Sequence, residues 1–398
     1  MKMILSALFF AVLFCASAIA QPKETDIASK QLELGSFMLS HQDEVSANRV
    51  VSPYSIHSAL MLLRLGARGE ISSKLDQKLL PGAFSENLQT TYRAMNSAII
   101  VTNDRITSNL ANSLWLQEEL TFIPQYISET KQLFSAEPRH VNFKASEAAR
   151  REINSWVASK TNKLIPELLP QGAITPLTTC TLVNALYFKA AWLEAFKKES
   201  TREDDFWINP SSKGRVPMMH RSDRMGYFED ATWQAVHLPY AANDFALVLL
   251  VPREKRSPAD LAQNLSADAV ARAMEEQEFA KVNLSMPRFK VSQGGEILPR
   301  LEAYGLTGLE RGDYSGISSK GVGPVSNVIH EAVVSVDEAG TEAAAATAIM
   351  MLRGAFPHAE ETPKEVKADH PFAFVLMHRP TKSPLFMGIV GDPRSAGK

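Results

Sequence analysis

The residues of this chain that could do covalent chemistry do not assemble into a catalytic motif. Gly312-Asp313-Tyr314-Ser315-Gly316 has the wrong spacing for the Gly-x-Ser-x-Gly turn that presents a nucleophilic serine. His330-Glu331 lacks the second histidine four residues on that a zinc-protease helix needs. Metal-ligand and phosphate-cradle motifs are likewise missing from the sequence, so no metal and no cofactor is expected. Between two apolar stretches runs Glu338 to Lys367, EAGTEAAAATAIMMLRGAFPHAEETPKEVK, and within it Arg353 precedes Gly354.

The first half of that stretch is small and uncharged apart from Glu342. Alanine is the best helix former, so a helix from Thr341 to Leu352 is one reading. With a period of two, Thr341, Ala343, Ala345, Thr347, Ile349 and Met351 share one face, and all can be buried without stranding a charge. Glu342 falls on the other face. The segment can therefore serve as an added strand whose backbone groups become paired on insertion. Pro357, Glu360, Glu361 and Pro363 favour an exposed course for the second half.

Such a ribbon needs a body to carry it. Ile27, Leu32, Leu34, Phe37 and Met38, then Ile56, Leu60, Leu63 and Leu65 before Gly66, have helical spacing. Ser113–Leu116, Thr181–Phe188 and Phe245–Pro252 are continuous apolar runs that suit strands buried on both faces. Ile153, Trp156, Val157 and Ile165 predict a helix within Ala145–Leu169, closed by Pro166 and Pro170. Phe372–Met377 and Leu385–Val390 predict a C-terminal hairpin. No linker and no internal repeat divides the chain, so a single mixed α/β domain is expected.

The chain has 398 residues, 45% hydrophobic and 22% charged with a net charge of −2, which fits a soluble globular protein and not a nucleic-acid binder. Arg150-Arg151 and Lys197-Lys198 read as solvated pairs, not a polyanion site. Residues 1–20 combine Lys2, an apolar run from Ile4 to Cys15, and Ala18-Ile19-Ala20, the pattern of a secretory signal peptide rather than a membrane anchor. The expectation is a secreted, extracellular domain over 21–398, with Cys180 as the only cysteine left after Cys15 departs. Sequons at Asn264 and Asn283 are the glycosylation candidates, Asn264 the more accessible.

Val336-Asp337-Glu338-Ala339-Gly340-Thr341-Glu342-Ala343-Ala344-Ala345-Ala346-Thr347-Ala348 closely resembles the hinge of inhibitory serpins. Further stretches resemble the same family: Asn48 to Ile56, with Ser52, Pro53 and Ser55; Asn184 to Trp192; His330; Asp369 to Phe372; and Leu385 to Gly388. The resemblance implies the serpin fold of three β-sheets and about eight or nine helices, with an exposed reactive-centre loop over about 338–367. It further implies an irreversible suicide-substrate inhibitor, not an enzyme, that forms a covalent 1:1 complex with an extracellular serine protease. Asn48, Ser52, Pro53, Ser55, Asn184, Trp192 and His330 would then form the network that governs sheet opening. A monomer is implied, with no membrane or nucleic-acid partner. The resemblance also implies a scissile bond in this stretch: the family's count from Gly340 lands on Gly354, which has no side chain to fill a pocket, and a hinge shorter by one lands on Arg353, which suits a trypsin-like pocket with an acidic base, while Leu352 or Phe356 would point to chymotrypsin- or elastase-like proteases. Ala190 stands where many members have glycine. The rival within the family is a non-inhibitory carrier, storage protein or chaperone.

Overall fold

The computed structural model describes residues 24–42, 47–82, 84–341 and 361–395. Nine α-helices and two hydrogen-bonded sheets account for most of them. The first sheet has nine strands in the order Arg49–Val51, Ser383–Val390, Phe372–His378, Phe245–Pro252, Trp233–Pro239, Ser212–Glu229, Glu278–Pro287 and Lys364–Lys367, with Arg202–Asn209 also on Ser212–Glu229. Seven strands form the second, in the order Phe289–Glu296, Val325–Val336, Gly340–Thr341, Cys180–Ala191, Ile106–Gln117 and Val101–Thr102, with Arg139–Val141 also on Ile106–Gln117. The three sheets expected appear as two because Ser212–Glu229, 18 residues long, pairs with Arg202–Asn209 near its start and with Trp233–Pro239 near its end.

The continuous apolar runs are strands covered on both faces. Every residue of Phe245–Pro252, Phe372–His378 and Ser383–Val390 is buried, and the last two form the expected hairpin. Each large side chain so buried contributes about 1.5–3 kcal/mol.

Two helices bracket the seven-stranded sheet. Pro53–Gly66 packs on its inner face; Ser52 caps it by accepting from the Ser55 N–H at 3.3 Å, and Pro53 occupies the first turn, where no N–H is needed. Ser146–Lys160 lies on the outer face, where Ala149, Ile153, Trp156 and Val157 pack with Ala111, Trp115, Val183, Ala185 and Ile329. This helix is shorter than Ala145–Leu169 because the backbone turns left-handed at Asn162 and Lys163, well before either proline.

Candidate functional site

The site is the seam between the parallel strands Cys180–Ala191 and Val325–Val336. Val325 to Glu331 pair with Cys180 to Ala185, and His330 lies directly opposite Asn184. Among the described residues no ladder pair joins 332–335 to 186–189. At the top of this gap Gly340 and Thr341 pair with Ala191 and Ala190 on one side, and Thr341 pairs with Val336 on the other.

The turn into the gap is built from named contacts. Asp337 Oδ1 accepts the backbone N–H groups of Ala339 at 2.8 Å and Gly340 at 3.2 Å. Gly340 has φ +151°, and a Cβ there would meet the Ala190 carbonyl oxygen at 2.1 Å, so glycine is required on both counts. Trp192 Nε1 donates to the Asp337 carbonyl at 2.9 Å, and its ring stacks on Tyr240 with centroids 4.6 Å apart. The Thr341 and Tyr240 hydroxyls lie 2.6 Å apart, both side chains buried. Burial pushes the Tyr240 phenol far above its ordinary value, so it stays neutral. The Glu338 side chain is 4% exposed and receives Arg288 Nε at 2.7 Å and the Thr201 hydroxyl at 2.5 Å. Burial raises its carboxyl pKa, but Arg288 and Thr201 outweigh burial and leave it below the ordinary value.

About 20 Å down the seam, six residues from Ala190, lies a second polar group. The Ser52 N–H donates to His330 Nε2 at 3.1 Å, which makes Nε2 the unprotonated nitrogen. His330 Nδ1 therefore carries the proton and donates to Asn184 Oδ1 at 2.8 Å. The Ser55 hydroxyl also donates to that oxygen at 2.7 Å, and Asn184 Nδ2 donates to the Ser55 carbonyl at 2.8 Å. Burial is the main cause that drives His330 down to about 3, with Arg300 adding to it. Asn112, opposite Asn184 on the next strand, completes a polar row across three strands, and neither of its side-chain polar atoms has a partner. The sequence reading missed it; the signal is an amide between Leu110 and Leu114 on the inward face of a buried strand.

Three expected members of this network sit elsewhere. Asn48 faces the end of the chain: its Oδ1 accepts from the Gly391 N–H at 2.9 Å and the Asp392 N–H at 3.0 Å, because the strand that follows it pairs with Ser383–Val390. Pro53 supplies only the helix start, and Trp192 belongs to the hinge turn. Gly340 and Thr341, expected outside the sheet, are already seated in it. Glu342, Ala343, Ala344, Ala345, Ala346 and Thr347, and Leu352, Arg353, Gly354 and Phe356, lie outside the described residues. Ala190 is regular strand without a positive φ. Cys180 is fully buried, and desolvation pushes its thiol up to about 12, so it is inert.

Against known protein families, residues 30–393 match the model described as Serpin (serine protease inhibitor). The chain is a serpin. It is 32% identical over 384 residues to the leukocyte elastase inhibitor of Bos taurus, covering 93% of this chain and 100% of that protein. The leukocyte elastase inhibitor of Homo sapiens is 31% identical over 379 residues, covering 92% of this chain and 98% of that one. Among solved structures, uncleaved ovalbumin matches with a TM-score of 0.79 and 26% identity, over 92% of this chain and 100% of that one. Thyroxine-binding globulin with thyroxine matches with a TM-score of 0.79 and 24% identity, over 93% of this chain and 99% of that one, and shows the fold alone. Serpins of this kind complex with serine proteases and are inhibitors, not enzymes.

The same relatives correct the expectation of a secreted, extracellular protein, because leukocyte elastase inhibitors are intracellular serpins. An apolar start followed by small residues is a local compositional pattern, and residues 1–20, which carry it, lie outside the described residues. Glycosylation is not carried forward either. Asn264 is exposed at the end of a short helix, whereas Asn283 is held within a strand, its Oδ1 accepting from the Ser222 hydroxyl at 2.7 Å.

Proposed function

We propose that this serpin, a single domain over 21–398, is an irreversible suicide-substrate inhibitor of an elastase-type serine protease, with which it forms a covalent 1:1 complex. The observation that carries the reading is register. Gly340 and Thr341 lie antiparallel to both flanking strands, and the two flanking strands are themselves aligned His330 to Asn184. Continued without a shift, the ladder would place Ala343 between Phe188 and Val334, Ala345 between Leu186 and Ala332, and Thr347 between Asn184 and His330. A cut loop can therefore zip in along one uninterrupted register.

Residues 342–345 would enter where no ladder now joins the strands. Ala346 and Thr347 would have to break the Glu331–Ala185 and His330–Asn184 pairings, moving each flanking strand to about 4.8 Å from the newcomer. The Thr347 hydroxyl then stands where the Asn184–His330 hydrogen bond was lost. On the outward face Ala344, Ala346 and Ala348 would pass beneath or beside the Ser146–Lys160 helix, which explains small residues there as well as inside. Glu342 would fall beside Lys189, at the open end.

The chemistry follows the ordinary acylation half of serine protease catalysis. The protease serine Oγ attacks the carbonyl carbon before the scissile bond, the C–N bond breaks, and the new amino group leaves with the proton carried by the protease histidine. An ester now joins the two proteins. Water would release it, but insertion displaces the reacting groups from the geometry that hydrolysis needs.

Elastase-type specificity rests on the names of the relatives and directs attention to Leu352, an aliphatic side chain at the centre of the loop. A second reading keeps the cut at Arg353-Gly354 for a trypsin-like protease, because Arg353 is the one Lys or Arg between 342 and 360. No proline, charge or aromatic residue interrupts Ala343 to Ile349, which favours an inhibitor over a carrier. The test mixes the protein with leukocyte elastase and with trypsin, then reads SDS-stable complex on a gel and the mass of the released C-terminal fragment. A fragment beginning at Arg353 supports Leu352, and one beginning at Gly354 supports Arg353. Thr341→Arg, which puts a charge on the inward face, is expected to give cleaved chain and no complex; stable complex in that variant refutes the insertion mechanism.

A further inference from the structure

The strand Glu278–Pro287 buries Ala280, Val282, Leu284 and Met286, so Phe279 stands on its outward face with Lys281 and Asn283, 68% exposed. Leu193, just beyond the Cys180–Ala191 strand, is 45% exposed. These are two of the four large hydrophobic side chains exposed among the described residues, and both line one groove of about 230 Å³ with Arg221, Arg224, Met225 and Gln277. Pockets that take drug-sized ligands run to about 300–1,000 Å³, so this groove suits a single anchoring side chain of a protein partner.

The groove adjoins the point where the reactive loop returns to the body. Val282 pairs with Lys364 in parallel register, and Glu361, three residues before Lys364, accepts from the Lys281 N–H at 3.4 Å. Arg224 joins Phe279 and Glu361, with Nη2 on the Phe279 carbonyl at 2.8 Å and Nη1 on Glu361 Oε2 at 2.5 Å. Arg353 is eight residues from Glu361, a span of at most about 29 Å. A serine protease of about 230 residues has a radius of gyration near 17 Å, so the body of a protease that grips the loop is within reach of this face.

We propose that the Leu193–Phe279 groove is a secondary docking site that takes an apolar side chain from the body of the target protease. The proposal rests on the inhibitory reading above. An apolar pair ringed by Glu194, Arg221, Asp223, Arg224 and Gln277 has the apolar centre and polar rim of a binding hot spot. It raises the rate of complex formation without touching the insertion machinery.

The test uses whichever of leukocyte elastase or trypsin forms the SDS-stable complex with the full chain. Phe279→Ala, and Phe279→Ala with Leu193→Ala, should lower the second-order association rate constant about tenfold, leaving the stoichiometry of inhibition and the Tm unchanged. Rates within twofold of the parent overturn the proposal. A drop that vanishes when Phe356→Ala is added shows that the chain's own loop fills the groove, which also overturns it. Absence of stable complex for the parent protein is the failure of the inhibitory reading itself, and the docking site falls with it.

Discussion

His330 holds its place through one tautomer. Nε2 accepts from the Ser52 N–H and Nδ1 donates to Asn184, so a second proton would set two N–H groups against each other in a buried site. Replacing the ring strands both partners: His330→Ala leaves the Ser52 N–H and one acceptor site of Asn184 unpaired, at about 1–3 kcal/mol for each buried group. A fall of several degrees in Tm by calorimetry is expected, and an unchanged Tm would show that the network carries no stability. Asn112, opposite Asn184 on the next strand, has no protein partner for its side-chain amide among the described residues. On insertion the row from Asn112 to His330 would gain the Thr347 hydroxyl.

Of the two strands that frame the seam, Cys180–Ala191 was legible as an element, because a strand buried on both faces reads as an unbroken apolar run such as Thr181–Phe188, as Phe245–Pro252 does in the other sheet. Their pairing was not legible, since register depends on partners more than a hundred residues away; that is why Asn48 and Trp192 were grouped with His330 and why the seating of Gly340 and Thr341 was missed. Asn184 and His330 were found through family resemblance, and only the fold brings them to 2.8 Å. In the proposed inserted state the Ser146–Lys160 helix would give the outward alanines a role that period-two reading of the inward face did not supply. Ala346→Trp should slow insertion, because the indole would lie between Ala185 and Glu331 on the face that this helix covers. The stoichiometry of inhibition should rise well above one, with cleaved inhibitor accumulating; a value near one would mean the helix does not confine the inserting strand.

The whole molecule carries several buried neutral histidines. Burial is the leading cause that lowers His57, His237 and His378 to about 4 and His330 to about 3, against an unfolded value near 6.5. Below that unfolded value the unfolded chain binds protons that the folded chain refuses. Stability is therefore full above pH 6.5 and falls with acid, by about 1.4 kcal/mol per pH unit for each histidine, until pH approaches the folded values. A Tm that drops steeply between pH 6.5 and 4.5 is expected, and a flat profile would show that these sites protonate in place. The same fold holds a seam that is paired below and, among the described residues, has no direct ladder above, where Gly340 and Thr341 begin a strand between its two sides. A crystal structure of the loop-cleaved protein tests the central claim most directly. It should show Thr347 between Asn184 and His330, with the Cys180–Ala191 and Val325–Val336 strands both paired to the inserted segment. Asn184 still bonded to His330, with those two strands still paired to each other from Val325 to Glu331, would contradict it.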